Sequence, residues 1–130
     1  MKKQKAIGYI RTVIPDPLNV EIRRQEERIS ACCESNGLFL VKIFIDNGTD
    51  RLHEEQQGWA KLKKFLTKHP KINFLLIADL SKVNQSIIKG IAELKFLKEK
   101  FGVLTLDVMG AGEVSKVDIK REKKRKGKRL

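Results

Sequence analysis

Residues 5–15, KAIGYIRTVIP, hold the reading that decides the fold. Ala6, Ile7, Gly8, Tyr9 and Ile10 form a short apolar run bounded by turn signals, which reads as a buried strand. The run ends in Arg11, Thr12 and Val13, and Pro15-Asp16-Pro17 then forbids continuation and presets a turn. In an open α/β sheet, ligands and reacting groups collect just beyond the carboxyl ends of the strands. Arg11 therefore stands where a functional residue of the first strand would stand.

Working outward, Asn19 or Asp16 can cap a helix that runs to about Ser35. Its apolar positions Ile22, Ile29, Cys32 and Cys33 recur at helical spacing, with Arg23, Arg24, Glu26, Glu27 and Arg28 outside. Asn36-Gly37 stops it, because both residues tolerate the left-handed conformation. Residues 38–45, LFLVKIFI, are nearly all apolar and predict a second strand covered on both faces. A polar turn at 46–50 and an irregular loop lead to a helix over about 54–67, with Trp59, Leu62, Phe65 and Leu66 on one face; His69-Pro70 ends it. A third strand is expected over 73–78, a loop over 79–85, and a helix over about 86–100 that buries Ile87, Ile88, Ile91, Leu94 and Leu97. Phe101-Gly102 precedes a fourth strand over 103–108. Helical crossovers between buried strands imply an α/β fold, a mainly parallel sheet of four to five strands with helices on both faces. Residues 1–110 form the α/β domain, and 111–130 are expected to be a flexible basic tail.

At 130 residues and 41% hydrophobic content, the chain is the size of one domain and can bury a real core. No run approaches the roughly 18–20 apolar residues of a membrane span, and MKKQKAIGYIR has no signal-peptide hydrophobic region. Cys32 and Cys33 are adjacent, a spacing that disulfide geometry disfavours, so the expected setting is cytoplasmic, disulfide-free and away from membranes. The formal net charge is +12, and it is uneven. Between Lys116 and Arg129, nine Lys/Arg face only Asp118 and Glu122. Within that block Lys120, Arg121, Lys123, Lys124, Arg125, Lys126, Lys128 and Arg129 make an electrostatic footprint for polyanions, most often nucleic acid. The plainer reading of the block is a solvated tail that aids solubility.

Several chemistries are missing. No G-x-G-x-x-G follows the first strand, there is no G-K-[ST] phosphate loop, and no Cys/His cluster has metal-ligand spacing. His53 and His69 each sit in or beside a turn and read as surface residues. Asp46, Asp79 and Asp107 each follow a strand and could share one rim of the sheet as Mg²⁺ ligands, but turn-forming Asp is common there. No metal site and no cofactor is expected. Buried thiols such as Cys32 and Cys33 are usually inert.

Tyr9-Ile10-Arg11-Thr12-Val13, Arg24-Gln25, Phe44-Ile45-Asp46-Asn47-Gly48 and Gly58 together carry a resemblance, continued by Leu75-Leu76-Ile77, Leu80-Ser81-Lys82-Val83 and Gly102-Val103. In order and spacing, residues 5–108 resemble the catalytic domain of resolvase/invertase-type serine recombinases. The resemblance implies a serine that attacks a DNA phosphodiester, with arginines stabilising the charge on the phosphate. It places the family's leading arginine on Arg11 and its helix glutamine on Gln25. The nucleophilic serine falls on Val13, which has no hydroxyl. The arginine before the second-helix glycine falls on Gln56. In the loop after the third strand, the family's aspartate falls on Ser81 and its two arginines on Lys82 and Gln85. The residue set thus predicts a degenerate member with no intact catalytic site.

Three functions remain in play at this point. One is a recombinase-like protein inactive in strand cleavage, which binds DNA through Arg11, Lys82 and the tail, or modulates recombination as a homodimer or with a partner recombinase. The second is a different phosphate-handling enzyme on the same scaffold, around Arg11, Asp46, Asp79 and Ser81. The third is an adaptor that binds RNA through the basic tail.

Overall fold

The computed structural model describes residues 3–48, 56–78 and 87–108. The chain alternates strand and helix throughout: β1 (Gln4–Arg11), α1 (Val20–Ser35), β2 (Leu38–Asp46), α2 (Gln57–Lys68), β3 (Ile72–Ile77), α3 (Ile87–Phe101) and β4 (Leu104–Asp107). All described strand pairs are parallel and the order is β2-β1-β3-β4, so β1 lies between β2 and β3. Among the described residues, no helix is long and apolar enough to cross a membrane.

Two apolar clusters sandwich the sheet. On one side Ile7, Tyr9, Phe44, Leu75 and Ile77 meet Trp59, Leu62 and Leu66 of α2 and Leu97 of α3. On the other, Ala6, Ile10, Phe74, Leu76 and Leu106 meet Ile22, Ile29, Cys32 and Cys33 of α1. Central strands buried on both faces read as unbroken apolar runs, which is what β1 and β3 are.

Local signals account for the ends of α1. Asp16, not Asn19, caps it: the Asp16 carboxylate accepts the backbone N–H of Val20 at 3.1 Å and of Ile22 at 3.0 Å. Asn19 takes the left-handed conformation (φ 58°) and its side chain makes no capping bond. At the other end Gly37 adopts φ 64°, which satisfies the stop signal without a Cβ penalty.

Two expectations need correction. First, β2 is an edge strand and is not covered on both faces: Phe39 and Ile45 are 55% and 39% exposed. Its register with β1 slips between Ala6 and Ile7, and Lys42 stands on the same strand. A bulge and an edge lysine are common ways of blunting an exposed sheet edge. Second, Ile88 and Ile91 of α3 are 81% and 49% exposed, while Leu97 is fully buried. A ladder of three-residue steps turns about 300° per step on a 3.6-residue helix, so it drifts about 60° each time. From Ile88 to Leu97 the drift carries the side chains round to the opposite face.

Candidate functional site

The carboxyl ends of β1 and β2 make the site, because their register places Arg11 beside Asp46. Both are buried, Arg11 at 1% and Asp46 at 6% exposure. A buried charge has to be paired and hydrogen-bonded, and the Asp46 carboxylate is fully engaged. Tyr9 Oη donates to its Oδ2 at 2.6 Å, the Gly58 N–H donates to its Oδ1 at 2.7 Å, and the Trp59 N–H donates to its Oδ2 at 3.0 Å. Asp46 thereby caps α2 from a neighbouring strand, placing a negative charge at the positive end of the helix.

Gly58 permits this approach. A Cβ built there would meet the Ile45 carbonyl oxygen at 2.5 Å and Asp46 Cγ at 3.0 Å, so any side chain would push α2 off the strand. Trp59 packs its ring edge-on against Tyr9 at 4.9 Å and donates its indole N–H to Glu93 of α3 at 3.1 Å. Gln56, immediately ahead of α2, donates to Tyr9 Oη at 2.8 Å. Burial first, and then the bond to Asp46, raise the Tyr9 hydroxyl far above the usual phenol range; Gln56 and the Arg11 charge pull the other way.

The loop beyond β1 is stitched to the end of β2. Thr12 Oγ1 donates to Asn47 Oδ1 at 2.9 Å and accepts the Gly48 N–H at 2.9 Å. Asn47 Oδ1 also accepts the Asp16 N–H at 2.8 Å, and its Nδ2 donates to the Asp16 carbonyl at 3.1 Å. The Thr12 hydroxyl is thus committed to a turn and only 4% of the residue is exposed. Val13, one position on, is 39% exposed and carries only methyl groups toward solvent. Beneath the rim, Gln25 is buried at 2% exposure and its Nε2 lies 3.4 Å from the Arg11 carbonyl oxygen it donates to.

Arg11, Gln25, Asp46, Gln56 and Gly58 therefore lie together at the ends of β1 and β2, with Val13 two residues beyond Arg11 and partly exposed. Ser81, Lys82, Gln85, Asp79, His53 and the tail cations from Lys120 to Arg129 lie outside the described residues. Asp107 ends β4, the strand at the opposite edge from β2. Three strand spacings, about 14 Å, separate it from Asp46, far beyond the reach of one cation. Among the described residues, no three His, Cys, Asp or Glu side chains form a metal-sized group. Sequence reasoning gave Asp46 a turn, a metal, a place in the recombinase-like motif or a part in a phosphate-handling site, and missed its bonds to Tyr9 and to α2. The spacing from Asp46 to Gly58 was its only trace. Asn47 entered only within the Asp46-Asn47-Gly48 turn, with no sign of its bonds to Thr12 and Asp16.

No family model matches the sequence, and no curated protein matches it. Solved structures do match. The fold is similar to the C-terminal catalytic domain of ISC1926 TnpA, an IS607-like serine recombinase, at TM-score 0.66 and 20% identity over 82% of this chain and 69% of that one. It is similar to a resolvase family site-specific recombinase from Streptococcus pneumoniae at TM-score 0.68 and 16% identity, covering 98% and 91% of the two chains. It is also similar to the N-terminal catalytic domain of TP901-1 integrase, at TM-score 0.69 and 15% identity over 95% and 98%. The four parallel strands and the crossover helices give this chain the fold of a resolvase-type serine recombinase catalytic domain.

Proposed function

We propose that this chain is a serine recombinase catalytic-domain-like protein that binds DNA, or modulates DNA recombination in the cytoplasm through self-association or a partner recombinase, without cutting a strand itself. One observation carries the reading. Position 13, where the resemblance calls for an attacking hydroxyl, is a half-exposed valine, and the adjacent hydroxyl of Thr12 is bound to Asn47 and Gly48. An oxygen nucleophile is weak at neutral pH and has to be activated and aimed; Thr12 is held in a turn instead. The surrounding cage of Tyr9, Gln25, Asp46 and Gly58 supports a role in shaping the rim.

DNA contact in this reading comes from Lys82 and the tail cations Lys120, Arg121, Lys123, Lys124, Arg125, Lys126, Lys128 and Arg129, with Arg11 contributing from below the surface. Such contacts fix phosphates without reading sequence, and their affinity falls steeply with salt.

Two measurements test it. Incubation with supercoiled DNA should give no covalent protein–DNA adduct; an adduct would show that a hydroxyl elsewhere does the attack. In a gel-shift salt titration, replacing the tail cations by Gln should weaken DNA binding strongly and Arg11→Gln only slightly, since Arg11 is 1% exposed. Unchanged binding by the tail variant sinks the electrostatic part of the reading. Tight binding of RNA and none of DNA would favour the adaptor instead.

A further inference from the structure

Helix α2 and the turn after it carry five lysines, at 61, 63, 64, 68 and 71, and residues 56–72 contain no Asp or Glu. Lys63 lies 3.9 Å from Glu93 of α3. Lys61, Lys64, Lys68 and Lys71 are exposed. At steps of three and four residues, the first three share one helix face over about 10 Å. A lysine in the last turn is ordinary, because it complements the negative end of the helix dipole. That accounts for Lys68 and leaves the others.

The stripe runs into an open groove of about 180 Å³ lined by Lys5, Phe65, Lys68, His69 and Lys71, along with Val41, Pro70 and Ile72. The His69 ring stacks on Phe65 at 4.0 Å, and Lys42 of β2 reaches over the same Phe65 ring at 5.9 Å. Lys5 is the second residue of β1 and Lys71 precedes β3, so the groove lies at the amino ends of the strands, with most of the length of β1 between it and Arg11.

We propose that the lysine stripe of α2 and the groove at its end form a second contact site for the phosphodiester backbone of duplex DNA. The inference takes its ligand from the reading above and adds a surface that neither Arg11 nor the tail supplies. Charge complementarity selects the occupant: compact ammonium groups on flexible stems neutralise phosphates one by one, and no carboxylate interrupts the row. The opposite side of the sheet provides the contrast, since α1 carries Glu21, Glu26, Glu27 and Glu34 among Arg23, Arg24 and Arg28.

The test is a salt titration of full-length protein on a random-sequence DNA duplex. The triple variant Lys61→Gln/Lys64→Gln/Lys68→Gln should lower the slope of log affinity against log salt by about 2.7, at about 0.9 for each phosphate no longer neutralised. Arg23→Gln/Arg24→Gln/Arg28→Gln removes the same charge from the other face and should leave the slope near wild type. A Lys→Arg triple at 61, 64 and 68 should restore it. Equal weakening in the α1 and α2 variants, or none in the α2 variant, overturns the inference while leaving the proposed function standing. Failure of the wild-type chain to bind duplex DNA overturns both.

Discussion

The two sides of the sheet are built on opposite plans. The α1 side is mainly aliphatic and sulfur-rich, with Ile22, Ile29, Cys32 and Cys33 against Ala6, Ile10 and Leu76 and Phe74 as its one buried aromatic among the described residues. Its helix is capped by Asp16, four residues from Val20. The α2 side holds the aromatic cluster of Tyr9, Phe44 and Trp59, and its helix is capped by Asp46, twelve residues from Gly58 and on another element. A local cap needs only the turn around it. A cap supplied by a strand also ties the helix to the sheet, so one carboxylate sets both the stability of α2 and the geometry beside Arg11. The difference teaches where a substitution should spread and where it should stay local.

The sharpest way to break the comparison is to remove Asp46. Asp46→Ala strips the acceptor from Tyr9, Gly58 and Trp59 and strands three buried donors. Bonds to a charged acceptor and their buried orphans put the loss at about 3–5 kcal/mol, or a Tm drop on the order of 10 °C or more for a chain this size. Thermal denaturation by circular dichroism reads it directly. Gly58→Ala comes next, because its Cβ would press on backbone atoms of Ile45 and cannot be relieved by a rotamer change. We expect a loss of about 2 kcal/mol in urea unfolding. Asp16→Ala should cost about 1 kcal/mol, the usual worth of a local cap. If Asp16→Ala proves as damaging as Asp46→Ala, the contrast between the two caps is wrong.

Tyr9, the single tyrosine, sharpens the same contrast through pH. Its hydroxyl titrates higher in the folded chain than the ordinary 10.0 of the unfolded one. The stability this confers is fully present below about pH 10. It declines as pH rises above that value, because the unfolded chain releases the proton first. Alkaline titration of the folded protein at 295 nm should therefore show no tyrosinate near pH 11, with the signal appearing only on unfolding. Tyr9→Phe should remove this contribution to the alkaline loss of stability. On the α1 side the corresponding effect is the smallest. Burial, with help from Cys32, pushes the Cys33 thiol up to about 11, so it should react slowly with a thiol reagent until the chain unfolds.

Much of the fold was legible because it rests on local periodicity. The apolar runs of β1 and β3 and the faces of α1 and α2 follow from spacing alone. Legibility failed where position in the sheet decides burial. Residues 38–45 look as apolar as a central strand, yet β2 lies at an edge and exposes Phe39 and Ile45. Ile88 and Ile91 look like core, but α3 turns them away from the strand it covers. At the rim, the identities of Arg11 and Val13 at and just beyond the end of β1 could be read directly. The Thr12–Asn47 and Gln56–Tyr9 bonds could not, since their partners lie 35 and 47 residues apart.

By itself the sequence determined the alternation of strands and helices, the valine at position 13 and a run of lysines on α2 with no acidic residue among them, all properties of neighbouring residues. Only the tertiary structure decided that β1 would lie between β2 and β3, and with it that Asp46 would meet Tyr9, Gly58 and Arg11 in one buried cluster. The reason is physical. Side-chain period is written in the backbone geometry of each element, whereas strand order depends on which distant surfaces bury best together, and no short stretch of chain records that competition.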